Sequence, residues 1–305
     1  MKIAVLTGAT SFLGLNLLKE LLKQGYMVHA LVRKESLSRN RLPQNEHLKI
    51  INGSMDEMES IVKAVNYADV FIHFAWDGTG YQGRICREIQ QRNVDYSMRA
   101  LKVADSLGCT QFVFSGSQAE YGKTIESISE NTICNPVSEY GRAKLEFSCL
   151  AEEYCKNKKL NFIHMRIFSV FGAGDRFDTL VCSCVDKFNH GEVMHLGSCK
   201  QQWNYLYIDD FVNIVINLIE KQCKNGIYNI ASSDTRVLRE FVEEIYDLSN
   251  QTGTYIFGEY AKNPEGSPEL RPDISKLIEC IGDVEFTPFR QGIMRITEVI
   301  CNEGA

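Results

Sequence analysis

The chain has 305 residues, of which 44% are hydrophobic and 24% charged, as expected for an ordinary globular protein of one or two domains. Its 33 basic and 39 acidic residues leave a formal charge of −6 without a long run of Lys or Arg, so nucleic acid is not expected as its main partner. No apolar run approaches the roughly 20 residues needed to span a bilayer, and no signal-peptide pattern follows Met1, so no membrane partner is expected either.

Eleven cysteines are scattered along the chain, several of them in apolar segments such as "LVCSCV". They form no C-x-x-C pair, and the six histidines form no H-x-x-x-H pair, so no metal site is predicted. The odd count and the apolar surroundings favour reduced, buried thiols in a cytoplasmic protein.

Strands and helices alternate regularly in the first half of the chain. Apolar β-rich runs predict strands at 2–7, 27–32, 48–52, 69–75, 111–116 and 161–168. Helical periodicity predicts helices at 12–25, 56–66, 88–108 and 138–158. This alternation predicts an α/β fold with a Rossmann-like, doubly wound parallel sheet.

The second half is less regular. It contains predicted helices at 179–191, 209–221, 236–250 and 288–301, predicted strands at 204–208 and 226–230, and breaks at Pro264, Pro268 and Pro272. We predict a dinucleotide-binding domain over 1–168, with 204–232 returning to it. The remaining segments, 169–203 and 233–305, are expected to form a smaller α/β substrate-binding lobe.

The run "TGATSFLG" lies between the first strand and the first helix, where a dinucleotide pyrophosphate binds in this fold. Gly8 and Gly14 occupy the outer glycine positions of the motif, and Ser11 replaces the middle one. Serine is small, and its hydroxyl can donate to a phosphate oxygen. The alternative is a tight turn without a ligand. The predicted cofactor contacts are Gly8, Thr10, Ser11, Phe12, Leu13 and Gly14.

The end of the second strand distinguishes between the two nicotinamide cofactors. An NAD site usually places Asp or Glu there to hold the ribose 2′-hydroxyl. In "ALVRKES", Val32 is followed by Arg33 and Lys34, and these two cations can hold a 2′-phosphate. NADP(H) is therefore preferred and NAD(H) remains possible, the alternative being a solvated basic turn.

Tyr140 and Lys144 in "SEYGRAKLEF" are four residues apart and share one face of a predicted helix. A free tyrosine, with a pKa near ~10, is a poor proton donor, and a neighbouring ammonium group stabilises its tyrosinate. Ser115 and Ser117 end the fifth strand, at the sheet edge where ligands bind. Capping of a turn is the alternative role for these serines.

In order and spacing, the chain resembles the extended short-chain dehydrogenase/reductase family over nearly its full length. The resemblance is carried by "TGATSFLG", "FIHFAW", "FVFSGSQAEYG", "YGRAK", "RIFSVFG", "YLYIDD" and "GIYNIAS". It implies the catalytic triad Ser117, Tyr140 and Lys144. It also implies cofactor contacts by Ser54, Met55, Phe74, Ala75, Asn93, Tyr140, Lys144, Phe168 and Val170.

Two departures from the family patterns narrow the expected chemistry. Sugar 4,6-dehydratases carry an Asp-Glu pair where this chain has Gln118 and Ala119, and a neutral amide and a methyl group cannot serve as acid and base. Many epimerases place an arginine on the nucleotide diphosphate where this chain has Trp203. That indole either stacks on a base or sugar or belongs to the core.

The strings "GSQAEYG", "QQWNYLYIDD" and "HFAWDGTGYQGR" are most similar to the branch that contains CDP-abequose synthase and dTDP-4-dehydro-6-deoxyglucose reductase. This resemblance implies NADPH-dependent reduction of the 4-keto group of a nucleotide-linked 6-deoxysugar. An NAD-dependent nucleotide-sugar 4-epimerase with the same triad is the alternative, against which Arg33 and Lys34 argue. A non-catalytic NADP-binding regulatory protein is a second alternative.

The expected substrate contacts are Trp76, Ser117, Gln118, Ser169, Trp203 and Arg271. Ser169 stands where many relatives place a substrate asparagine. Arg271, in "ELRPDISK", is either a phosphate contact or a solvated arginine. Helices 88–107 and 138–158 match those that pair in family homodimers, although their apolar faces also suit packing on the sheet.

Overall fold

The computed structural model describes residues 1–259 and 269–303, with side chains as far as Ile300. Its strands are β1 Ile3–Thr7, β2 Met27–Val32, β3 Leu48–Asn52, β4 Val70–His73, β5 Gln111–Ser117, β6 Asn161–Ile167, β7 Ser169–Phe171, β8 Val193–Leu196, β9 Gln202–Tyr207, β10 Gly226–Ile230, β11 Thr235–Val237 and β12 Thr254–Phe257. Its helices are α1 Phe12–Lys23, α2 Ser60–Ala64, α3 Tyr81–Arg84, α4 Arg87–Ser106, α5 Glu139–Cys155, α6 Leu180–Asn189, α7 Ile208–Glu220, α8 Leu238–Leu248, α9 Ser275–Ile281 and α10 Phe289–Glu303.

The central sheet has seven parallel strands in the order β10-β6-β5-β4-β1-β2-β3. Ala4 of β1 pairs with Val28 of β2 on one side and with Val70 of β4 on the other. The chain therefore winds outward from β1 to β3 and then reverses direction at β4. Ligands bind beside such a reversal, at the carboxyl ends of the strands. The predicted Rossmann-like doubly wound sheet is confirmed.

Helices cover both faces of the sheet. On one face, α1 buries Leu15, Leu18 and Leu21, each of which contributes at most about 3 kcal/mol of hydrophobic free energy. On the other face, the Phe114 ring of β5 packs against the Phe147 ring of α5, with centroids 4.5 Å apart. This contact holds the catalytic candidates of α5 beside the end of β5.

The predicted helix at 56–66 is shorter than expected. Met55–Glu57 forms a single 3-10 turn, and α2 starts only at Ser60. The Ser54 backbone amide donates to the Glu57 carboxylate at 3.1 Å, which closes this turn as a separate cap.

The second half forms two smaller sheets. β9 begins two residues before the strand predicted at 204–208, and it pairs with β7 and β11 rather than with the central sheet. Within the segment 204–232, which we predicted to return to the first domain, β10 pairs with β6 in the central sheet. β8 and β12 pair with each other. The division into a cofactor domain and a substrate lobe stays a prediction. The predicted breaks at Pro264 and Pro268 lie outside the described residues.

The cysteines differ from expectation at one pair. The Cys223 and Cys280 sulfurs are bonded, which links the segment after α7 to α9. The expectation of reduced thiols throughout is wrong here, because the fold joins residues 57 positions apart. Other described cysteines are free thiols, and Cys109, Cys155, Cys182, Cys184 and Cys199 are buried as expected. Within the described residues, no helix is long and apolar enough to cross a bilayer.

Candidate active site

Two adjoining cavities lie beside the reversal of the sheet. The larger, of about 830 Å³, is lined by the predicted site residues Thr10, Ser11, Phe12, Leu13, Phe74, Trp76, Ser117, Tyr140, Lys144 and Phe168. The smaller, of about 420 Å³, is lined by Gly8, Thr10, Ser11, Arg33, Ser54, Met55, Phe74, Ala75 and Trp76 among others. The structure thus brings the phosphate loop, the end of β4 and the catalytic candidates into one continuous cleft.

The phosphate loop approaches β4 closely. Gly8 has φ +76°, and a Cβ there would lie 2.7 Å from both the Ala75 nitrogen and the Phe74 carbonyl carbon. A Cβ on Gly14 would collide with the Gly8 carbonyl oxygen. Both glycines therefore allow close backbone contacts within the loop and with the end of β4, and only glycine fits at either position.

Ser11 replaces the middle glycine without strain, because its φ of −75° and ψ of 165° are ordinary for any residue. Its hydroxyl donates to the Gly8 carbonyl oxygen at 2.8 Å and accepts from the Gly14 amide at 3.1 Å. Ser11 is thus the N-cap of α1. Its hydroxyl proton, which we expected to reach a phosphate, is directed into the loop. The first amides of α1 are the groups that suit an anion here.

Arg33 and Lys34 are placed differently. The Arg33 side chain lines the smaller cavity, is 67% exposed and lies 3.7 Å from the Asp77 carboxylate. Ser36 lines the same cavity, as does Ser38. Lys34 is exposed and lines neither cavity, so only Arg33 of the predicted pair reaches the site.

Lys144 is buried against the end of β5. Its ammonium donates to the Ser115 carbonyl oxygen at 2.6 Å and lies 3.6 Å from the centroid of the Trp76 ring. Burial lowers the pKa of Lys144 well below its usual value, the negative charge of Glu120 opposes this shift, and Arg84 adds to it.

Tyr140 lies one helical turn before Lys144 on α5, which begins at its N-cap Ser138. The Arg84 guanidinium lies 4.3 Å from the centroid of the Tyr140 ring, and the Trp76 ring meets the same ring edge-on at 6.2 Å. Sequence reasoning missed Arg84. Its one signal was the three glycines in "GTGYQG", since Gly83 packs directly against Gly78 and folds α3 back toward the site.

Asn93 does not line either cavity. It is buried, its side-chain oxygen accepts from the Asp77 amide at 3.0 Å, and its side-chain nitrogen donates to the Asp77 carbonyl oxygen at 2.9 Å. It therefore holds the segment after β4 in place. Both polar atoms of the amide are used by the backbone, and a direct contact of Asn93 with the cofactor stays a prediction.

The other predicted contacts lie outside both cavities. Val170 and Ser169 belong to β7, which pairs with β9, and Gln118 lies in a short 3-10 turn behind Ser117. Trp203 packs against a core cluster that includes Tyr121 and Phe168, which corresponds to its core alternative.

Arg271 is half exposed and lies 3.7 Å from the Glu269 carboxylate. Its carbonyl oxygen accepts from the Ile128 amide at 2.8 Å, which ties it to a loop away from the lining of either cavity. A contact of Arg271 with a substrate phosphate stays a prediction.

The larger cavity also has polar lining that the sequence did not indicate. Arg41 ends a 3-10 turn, Asp175 and Arg176 lie in the loop after β7, and beside them the apolar Phe177 is 63% exposed. Burial raises the pKa of Asp175 above its usual value. No periodicity or motif marks these loop residues, so only the fold reveals them.

A parallel sheet with a glycine-rich loop at its reversal, and a Ser-Tyr-Lys set in the adjoining cleft, is the arrangement that the resemblance to the extended short-chain dehydrogenase/reductases predicts. The profile of the NAD dependent epimerase/dehydratase family matches residues 4–231, and the chain belongs to this family. The resemblance to the extended short-chain dehydrogenase/reductases is thereby confirmed.

The relatives span several activities. The chain is 24% identical to a CDP-abequose synthase of Salmonella muenchen, over 93% of either chain. It is 27% identical to a dTDP-6-deoxy-L-talose 4-dehydrogenase (NAD(+)) of Aggregatibacter actinomycetemcomitans, over 79% of this chain and 88% of that one. The structure of a UDP-glucuronic acid 4-epimerase from Bacillus cereus, in complex with UDP-glucuronic acid and NAD, covers 99% of this chain and 100% of that one with a TM-score of 0.85 at 20% identity.

Proposed function

We propose that the protein is an NADPH-dependent reductase of the 4-keto group of a nucleotide-linked 6-deoxysugar. The proposal is carried by one observation: Ser117, Tyr140 and Lys144 line a cleft that continues into a cavity lined by Arg33, with no carboxylate at the end of β2. Gln118 and Ala119 leave no second acid-base pair after Ser117. The likeness to CDP-abequose synthase agrees with this chemistry.

The chain's own residues fit a dinucleotide. The turn at Gly8 and the first amides of α1 suit a pyrophosphate, and Arg33, Ser36 and Ser38 line the cavity where a 2′-phosphate would lie. The cofactor, when bound, supplies the hydride.

Tyr140 gives its phenolic proton to the C4 oxygen of the sugar. The Lys144 ammonium stabilises the tyrosinate that remains. The Ser117 hydroxyl oxygen accepts from the Ala119 amide at 3.2 Å, which leaves its proton to donate to the same C4 oxygen and orient it. The Trp76 and Phe168 rings form apolar walls that exclude water.

An NAD-dependent nucleotide-sugar 4-epimerase is the second candidate. It is favoured by the likeness to the NAD-bound 4-epimerase structure and uses the same three side chains. An enzyme of that kind retains its cofactor through oxidation and re-reduction of one sugar. A non-catalytic NADP-binding protein would have no need for the intact Ser117, Tyr140 and Lys144 set.

The deciding experiment follows NADPH and NADH absorbance with a panel of CDP-, dTDP-, UDP- and GDP-linked 4-keto-6-deoxysugars, with products identified by NMR. We expect sugar-dependent oxidation of NADPH and a new hydroxyl at C4. Co-purified NAD, together with interconversion of 4-hydroxy epimers and no NADPH consumption on any keto sugar, would establish the epimerase instead.

A homodimer built on α4 and α5, and a cytoplasmic location, complete the proposal. The two helices pack side by side against the sheet, and α5 exposes Leu150 and Cys149. Light scattering of the purified protein tests the dimer. Localisation of a tagged copy, with the redox state of Cys223 and Cys280 in the cell, tests the compartment.

A further inference from the structure

A cluster of buried charged groups lies behind the end of β5, outside both cavities. Glu120 is fully buried in the 3-10 turn Gln118–Glu120. One carboxylate oxygen accepts from the Ser117 amide at 2.7 Å and lies 3.0 Å from His164 Nε2. The other accepts from Arg166 Nε at 2.9 Å. The Glu120 carboxylate is therefore hydrogen-bonded to the backbone of the proposed catalytic serine.

The surroundings of this carboxylate are closed on every side. The Ser148 hydroxyl lies 2.5 Å from His164 Nδ1, and the Arg166 guanidinium lies over the Tyr121 ring at 4.4 Å. Gly116 has no room for a side chain, because a Cβ there would collide with His164 Nε2. A glycine next to the end of β5 therefore leaves the space that His164 and the buried acid occupy.

Stability alone does not account for this arrangement. Taking a carboxylate and a guanidinium out of water costs about as much as their attraction returns, and an apolar replacement is often as stable. A function for the acid is therefore sought in what it touches. It touches Ser117 directly, and its negative charge acts on Lys144, which donates to the carbonyl of Ser115 two residues earlier on the same strand.

The groups around Lys144 have opposing effects. Arg84 from α3 disfavours the ammonium form, and Glu120 favours it. The Lys144 ammonium helps to lower the pKa of the buried His73 of β4. The Tyr140 ring centroid lies 5.6 Å from the Lys144 nitrogen. Glu120 is the carboxylate that acts on this buried lysine from the turn after β5.

We propose that Glu120 is a positioning residue of the active site: it orients Ser117 through the backbone amide, and its negative charge acts on the Lys144 ammonium, which donates to the Ser115 carbonyl oxygen on the same strand. The proposal rests on the proposed function, in which Ser117 and Lys144 serve catalysis. Arg166 and His164 hold the carboxylate in place, and Gly116 makes the space for it.

The test measures the protonation of Lys144 directly. The protein is labelled with lysine that carries ¹³C at Cε, and the Lys144 resonance is assigned as the one missing from Lys144→Met. We expect the titration midpoint of Lys144 to shift to lower pH in Glu120→Gln, because removal of an opposite charge disfavours the ammonium form. Glu120→Asp, which retracts the charge by one methylene, is expected to give a smaller fall in the same direction. Glu120→Asp is measured in place of Glu120→Gln if the Gln variant does not fold.

Asp210→Asn is the matched control, since Asp210 is also buried and accepts from the Thr287 amide at 2.7 Å, but on α7. It should lose stability without moving the Lys144 midpoint. In kinetics, Glu120→Gln should also move the basic limb of the kcat/KM profile to lower pH.

An unchanged Lys144 midpoint in the folded Glu120 variants overturns the proposal, whatever their stability. The NMR titration needs no substrate. A wild-type protein without ketoreductase activity would therefore refute the proposed function and leave this measurement intact.

Discussion

The two ends of the cleft are built from different parts of the chain. The cofactor end depends on backbone geometry within one short loop, where Gly8, Ser11 and Gly14 contact one another over seven residues. The catalytic end depends on side chains from separate elements: Trp76 after β4, Arg84 of α3 and Lys144 of α5 meet beside the strand that carries Ser117. A local motif can therefore specify the first end, whereas long-range packing must assemble the second.

The largest effect is expected at the catalytic end. Tyr140→Phe should lower turnover by about 10²–10⁴-fold, the usual contribution of a positioned acid, while the Kd for NADPH changes less than about twofold. Stopped-flow absorbance and fluorescence titration measure the two quantities. Tyr67→Phe, which removes an exposed hydroxyl bonded to Asp69, is the control and should keep normal turnover. Near-normal turnover in Tyr140→Phe would exclude the assigned role.

At the cofactor end, Gly8→Ala should weaken NADPH binding by more than about tenfold and lower the free energy of unfolding by about 1–3 kcal/mol. The new Cβ meets the backbone of Phe74 and Ala75. Gly25→Ala is the matched control, since Gly25 also has a positive φ of +82° but a Cβ added there would have nothing within 4 Å. It should lose stability without loss of NADPH affinity. Equal affinity losses in the two variants would mean that the Gly8 contact is unimportant.

A pH-dependent effect is expected at the strand between the two ends. Burial lowers the pKa of His73 from 6.5 to about 3, and the ring hydrogen-bonds Thr7 at 2.7 Å and Ser97 at 3.0 Å. The unfolded chain therefore takes up this proton first, and His73 costs stability progressively as the pH falls from about 6.5 toward 3, by up to about 1.4 kcal/mol per pH unit.

Urea denaturation at several pH values measures this slope. His73→Asn should be less stable than wild type at neutral pH but should lose less stability between pH 6 and pH 4. The slopes of the unfolding free energy against pH should differ by the uptake of about one proton. Identical slopes for the two proteins would show that His73 does not stay neutral in the fold.

The smallest effect is expected at the rim of the smaller cavity. Arg33→Ala should weaken NADPH binding by about tenfold, the value of one charge-assisted contact, and leave NADH binding unchanged. Lys34→Ala, which removes the adjacent cation outside the cavity, should change either affinity by less than about twofold. Isothermal titration with both cofactors separates the outcomes, and an equal loss for NADPH and NADH would assign Arg33 a role other than 2′-phosphate recognition.

Sequence reasoning located the local parts of the site well. The phosphate loop, the strand end at Phe74 and Ala75, and the trio Ser117, Tyr140 and Lys144 all reach the cleft as expected. Each of these lies at a strand end or one helical turn from its neighbour, in the local motifs that carry the family resemblance. The sequence did not indicate contacts that depend on a distant partner, such as the hydrogen bonds of the Asn93 amide to the Asp77 backbone.

By itself, the sequence determined the alternation of strands and helices, the parallel sheet that follows from it, and the glycine positions of the loop. These depend on periodicity and on backbone conformation, which neighbouring residues specify. The tertiary structure alone decided that Arg84 reaches Tyr140, that Trp203 joins the core, and that Glu120 is buried against His164. Such contacts join residues far apart in the chain, and only the packing of whole elements brings them within bonding distance.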